Sequence, residues 1–136
     1  MIARSLALAA VLLMTGAFAT PALAAKQTLK FTSVETSQNG PVLKAKDVNA
    51  KGKVIGHDVL TCKSTSKHSL ACTGVFKFTA PKKGSISVKL KIDFTANLGQ
   101  GIITGGTGGY AGAKGTIKGR ATSAAGNKVK IVLTIT

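Results

Sequence analysis

Apolar and polar residues alternate along most of the chain, and beyond the first two dozen positions no helical spacing appears. In Ser85–Phe94 (SISVKLKIDF), Ile86, Val88, Leu90, Ile92 and Phe94 fall on one face, with Ser85, Ser87, Lys89, Lys91 and Asp93 on the other. The segment Lys128–Thr136 sets Val129, Ile131, Leu133 and Ile135 against Lys130 and Thr134 in the same way. A period of two with one charged face predicts antiparallel strands, wet on one side and buried on the other. Weaker alternation at Gln27–Thr36, Val42–Val48, Lys53–Cys62, Leu70–Thr79 and Lys114–Thr122 predicts five more strands, and Ile102–Thr104 a short eighth. Turn residues separate them at Gln38–Pro41, Asn49–Gly52, Ala80–Gly84, Asn97–Gly101 and Ser123–Asn127. Eight short strands with short connections predict an all-β barrel or sandwich. A chain this small favours one layer closed on itself, because two such sheets would expose many edges.

The first residues follow a different grammar. MIARSLALAAVLLMTGAFATPALA has a basic start at Arg4, an apolar run from Leu6 to Met14, Pro21, and the small-residue close Ala22-Leu23-Ala24. This is the pattern of a secretory signal peptide over residues 1–24, cleaved near Ala24, followed by a single barrel domain over 25–136. The apolar run is too short for a spanning helix, which needs about 20 apolar residues, and no later segment matches it. A secreted or periplasmic protein without a transmembrane segment is the expectation.

Charge and cysteines sharpen the picture. The 136 residues carry 19 Lys and Arg against four acids, a formal net charge of +15; the acids are Glu35, Asp47, Asp58 and Asp93. So basic a balance attracts anionic surface polymers, or keeps a solvated surface self-repelling and soluble. Nucleic acid is a poorer expectation, since one tyrosine and scattered phenylalanines make no platform on which bases stack. The two cysteines, Cys62 and Cys72, suggest one disulfide in an oxidising compartment, worth roughly 3 kcal/mol in the chain-entropy model. Cys62 ends one predicted strand and Cys72 starts the next, with a polar hairpin loop between them. A metal site is the alternative, but His57 and His68 stand near the cysteines without the spacing a structural zinc site uses, so no metal is expected.

The glycine-rich run Ile103–Gly119 (ITGGTGGYAGAKGTIKG) meets a lax dinucleotide fingerprint at Gly106, Gly108 and Ala111. That motif works only where a strand feeds a helix with an acid about 20 residues on. Here β-branched residues follow and no acid occurs after Asp93, and Lys114 lacks the neighbours of a phosphate-binding loop. The run reads instead as a turn built on glycine's access to positive φ, formed by Gly105, Gly106, Gly108, Gly112 and Gly115 around Tyr110, whose ring would plug the barrel end.

These residues resemble the signature of the allene oxide cyclase and dirigent-like barrel superfamily. In that group a Gly-Gly-Thr-Gly-x-Tyr/Phe run is followed by Ala-Arg/Lys-Gly opening the next strand. Upstream, AKDVNAKGKVIGHDVLTC and ACTGVFKF are similar to the superfamily's bacterial secreted branch. The resemblance covers the chain from about Phe31 onward. It implies an eight-stranded antiparallel β-barrel of calycin type with a central cavity, a homotrimer, and no cofactor. It further implies a small apolar or phenolic ligand, or a cofactor-free isomerase activity of the cyclase kind. A first-strand carboxylate recurs in the superfamily, and Glu35 sits where it would fall; Asp58, beside His57, is the second candidate cavity group. Lys114 replaces the usual arginine of the Ala-Arg-Gly step.

The residues themselves leave both readings of Glu35 open. On an alternating strand it is a surface acid; buried in a cavity it would be a general acid or base with a raised pKa. His57 reads as a half-exposed strand histidine or as a base. With two histidines and no nucleophile elbow, no Ser-His-Asp arrangement is offered.

Overall fold

The computed structural model describes residues 26–136, and the leader-like segment lies outside the described residues. Eight strands follow one another in chain order: β1 Gln27–Asn39, β2 Val42–Val48, β3 Val54–Ser66, β4 Ser69–Phe78, β5 Gly84–Asp93, β6 Leu98–Gly108, β7 Gly115–Ala121 and β8 Lys128–Ile135. Each pairs antiparallel with its neighbour in sequence, and β8 returns to β1, so the sheet is a closed barrel. Closure removes the free edges that a strand-only domain would otherwise present. The expected eight-stranded antiparallel barrel is the observed fold, with no helix among the described residues.

The period of two holds where the sequence shows it. Leu29, Phe31, Phe76, Phe78, Ile86, Val88, Ile117, Ile131, Leu133 and Ile135 point inward and are buried. Phe31 meets Phe76 and Phe78 edge-on at centroid distances of 5.6 and 5.4 Å, and Phe78 lies 5.6 Å from Tyr110. Edge-to-face contacts of this kind add stability beyond the area they bury. This aromatic plug fills the end of the barrel where the β2–β3, β4–β5 and β6–β7 connections lie.

At the other end, reached by the β1–β2, β3–β4, β5–β6 and β7–β8 turns, the inward side chains are only half-buried. Leu43, Leu60, Leu70, Leu90, Ile92 and Val129 stand there. Across from them the wall carries glycine at inward positions, Gly99, Gly101 and Gly119, and Leu90 folds over Gly99. One end is thus filled by rings, while the other, the mouth, leaves its inward apolar side chains partly exposed.

Three expectations need correction. The short strand at Ile102–Thr104 is the eleven-residue β6, which takes in Leu98–Gly101 and the first half of the glycine run. The glycines pair in register with β5, Ile86 with Gly106 and Gly84 with Gly108, because backbone hydrogen bonds need no side chain. The polar loop between the cysteines is instead the outer part of β3 and β4, closed by the two residues between Ser66 and Ser69. Phe94 lies beyond β5 and is 52 % exposed, since the strand ends at Asp93. There the Asp93 carboxylate accepts hydrogen bonds from the backbone N–H and hydroxyl of Thr95 and turns the chain.

The second half of the glycine run is the corner between β6 and β7. Tyr110 N–H donates to the Thr107 carbonyl, Ala113 N–H donates to the Tyr110 carbonyl, and the ring turns inward, buried. Gly115 opens β7 at φ +137°, where a Cβ would strike the Thr134 carbonyl oxygen. Only glycine fits that approach. No helix starts after Tyr110, so the corner offers no dipole for a pyrophosphate.

Candidate functional site

Between plug and mouth the inward wall turns polar on β1, β2 and β3. Alternation along β1 places Ser33 inward after Leu29 and Phe31; along β2 it places Asp47 inward after Ala45; along β3 it places Asp58 inward. Ser33 stands opposite Asp47, and Asp58 opposite Ala45, which brings the three polar side chains to neighbouring positions on one patch. All three are buried, Asp47 completely. Ala45 between β1 and β3 is small, and across it the Ser33 hydroxyl donates a 2.8 Å hydrogen bond to Asp58 Oδ2. Asp58 in turn pairs with Phe76, so the acids sit directly against the aromatic plug.

Asp47 is the unusual member. Neither of its carboxyl oxygens has a hydrogen-bond partner of acceptable geometry. Its pKa is pushed up to about 9, first by burial, then by the close approach and charge of the neighbouring Asp58, against an opposing effect of Ser33. The orphaned oxygens and the raised pKa have one origin. A carboxylate stripped of water beside a second carboxyl is costly, so the site keeps a proton on Asp47. At neutral pH the buried Asp47–Asp58 pair therefore holds a proton, with Ser33 beside it.

The three acid/base candidates of the sequence fall in different places. Asp58 is in the buried pair. Glu35 is half-buried on the same side, in register with Ala45, which separates it by one strand from Asp58. His57 is exposed on the outer wall between Lys46 and Lys77, because adjacent strand residues point to opposite faces. Asp47 was missed. The alternation of Leu43, Ala45 and Asp47 was its signal, an acid in phase with apolar residues.

Cys62 and Cys72 are joined, directly opposite each other on β3 and β4 and buried toward the mouth. At the sealed end the Tyr110 hydroxyl is also buried without a partner, and burial raises its pKa. Among the described residues no three His, Cys, Asp or Glu side chains gather as a metal-ligand set, and no helix is long and apolar enough to cross a membrane.

The closed eight-stranded antiparallel barrel is a fold that this chain shares with solved dirigent proteins and cyclase-type barrels. Pyocyanin demethylase matches with a TM-score of 0.63 at 21 % identity, over 81 % of this chain and 100 % of that one. The pterocarpan synthase dirigent protein GePTS1 matches with a TM-score of 0.62 at 14 % identity, over 82 % and 84 %. The Diels–Alderase AbmU from Streptomyces koyangensis matches with a TM-score of 0.54 at 17 % identity, over 87 % and 73 %. No protein-family profile and no curated protein matches the sequence.

Proposed function

We propose that this is an exported barrel that takes a small apolar or aromatic molecule through its mouth and holds an oxygen of that molecule on the Asp47 O–H. The carrying observation is the Asp47 carboxyl, fully buried and unpaired beside the Ser33–Asp58 hydrogen bond. Neither Asp47 oxygen has a well-formed hydrogen bond, and a ligand carbonyl or phenolic oxygen would compete with Asp58 for the proton held there. Half-buried leucines around the mouth supply the apolar contact. The leader-like first 24 residues support export.

The proton on Asp47 also supports a cofactor-free cyclase or isomerase reading. A neutral acid that donates to a carbonyl or epoxide oxygen stabilises the negative charge developing there. The similar barrels include a pyocyanin demethylase, a pterocarpan synthase dirigent protein and a Diels–Alderase, which supports a small-molecule ligand or substrate. In this reading Asp47 takes the part that the sequence resemblance assigns to Glu35.

Displacement of the neutral fluorophore Nile red by a hydrophobic naphthoquinone tests the proposal. Binding is expected near neutral pH, weakening as the pH rises past about 9, where Asp47 loses its proton. The Asp47→Leu variant should bind the fluorophore but lose the quinone preference by about tenfold, the scale of one buried hydrogen bond. Quinone affinity unchanged in that variant would reject Asp47 as the donor.

A further inference from the structure

The outer wall carries an ordered row of cations that the interior site leaves unexplained. Successive registers connect Lys63 to Ala71, Ala71 to Lys91, Lys91 to Gln100, Gln100 to Lys118, Lys118 to Val132 and Val132 to Lys30. The row crosses seven strands, with lysine on β3, β5, β7 and β1 and a neutral residue on each strand between. All four lysines are exposed. Strands lie about 4.8 Å apart, so the lysine backbone positions recur about every 10 Å and the side chains fan outward from there. Since barrel strands tilt, the row winds round the wall from the mouth at Lys63 toward the sealed end at Lys30.

A second row runs beside it, two residues along each strand. It joins Thr61, Thr73, Lys89, Ile102, Thr116, Thr134 and Thr28. Five of its seven members are threonines, their hydroxyls on the outer face. Where the rows meet on β3–β5, small Ala71 leaves a hollow of about 330 Å³ whose lining includes Thr61, Lys63, Thr73 and Lys89. Among the four acids Asp47 and Asp58 are buried inside and Glu35 is half-buried, while exposed Asp93 flanks the track two residues beyond Lys91, its carboxylate accepting from Thr95.

We propose that this paired track binds a flexible acidic polysaccharide, its carboxylates on the lysine row and its sugar hydroxyls on the threonine row. Winding decides against a membrane, because a plane touches a cylinder along one side only. Chemistry decides against nucleic acid. Phe94, in a turn, is the only exposed aromatic side chain among the described residues, which leaves no stacking platform, and the track uses lysine point charges without the arginine forks that suit phosphate. The long flexible lysine side chains reach out from these positions, so that successive lysines would meet carboxylates on separate sugars along the chain.

The test compares two triple variants of equal charge, with alginate as the polyuronate probe and far-UV circular dichroism and melting as fold controls. At low salt the protein should bind alginate, bind neutral dextran negligibly, and lose alginate as salt rises. The track variant K63Q/K91Q/K118Q should bind about tenfold more weakly, with its salt slope reduced by about two. The off-track variant K51Q/K53Q/K83Q should stay within about twofold. The pair T73V/T116V should weaken binding with the slope unchanged, the mark of hydroxyl contacts. Should the track triple melt early, the single variants K91Q and K118Q replace it, each expected to flatten the slope by somewhat less than one. Equal losses in both triples, absence of alginate binding, or tighter binding of a dT20 oligonucleotide or of phosphatidylglycerol vesicles would overturn the proposal.

Discussion

The two ends of the barrel interior are built from the same alternation and behave as different materials. At the sealed end Phe31, Phe76, Phe78 and Tyr110 interlock with aliphatic side chains and leave little surface to water. At the mouth, leucines and an isoleucine stand half-buried above a glycine wall, and a covalent bond rather than close packing ties β3 to β4. The acids lie where these regimes meet. Burial is concentrated at one end, and the other leaves apolar surface partly exposed.

The largest break in this contrast should come from Phe76→Ala. The side chain is 0 % exposed, and a cavity of this kind costs about 3–5 kcal/mol, read as a shift in the urea midpoint. Next comes the double variant Cys62→Ala/Cys72→Ala, expected to cost about 3 kcal/mol by releasing a short loop in the unfolded chain. A loss as large as that of Phe76→Ala would mean that the mouth packs as tightly as the plug.

Asp47 sharpens the boundary through pH. Its folded pKa is about 9 against 3.8 for the ordinary group, so between those values the folded chain binds more protons than the unfolded one. Stability from this group is complete below about pH 4 and falls as pH rises toward 9, at a slope of at most about 1.4 kcal/mol per pH unit. Melting temperatures measured from pH 5 to 9 should fall, and Asp47→Asn should flatten that decline. The smallest effect is expected at the rim, where Leu43→Ala removes a half-buried side chain and should cost about 1 kcal/mol by urea melt. A larger cost than for the disulfide would dissolve the distinction between the ends.

Much of this was legible from alternation alone. β2 has the bounds that its sequence pattern predicts, and the paired cysteines and the buried faces of β5 and β8 follow from spacing. β6 was legible only at its centre, because Gly99, Gly101, Gly105 and Gly106 carry no side chains and so no polarity to read. The outer parts of β3 and β4 are polar on both faces, Lys63–Ser66 and Ser69, and a strand free of the core leaves no period. The buried Asp47 was hidden by the assumption that charge marks the wet face. Register was the deepest omission: bulges at Glu35/Ser37, Asp47/Val48, Ser64/Ser66 and Ser87/Val88 set which residues meet, and none has a sequence mark of its own.

The direct opposition of Cys62 and Cys72 has an effect well away from the sulfurs. By locking one rung of the β3–β4 ladder, it fixes the phase of the rungs between Gly56 and Ser64, including the pairing of Asp58 with Phe76 and of Lys63 with Ala71. Turns can therefore lengthen in variants of this chain at little cost, while a one-residue deletion inside either strand would invert the faces beyond it. Lysines would then be driven inward and phenylalanines out to water.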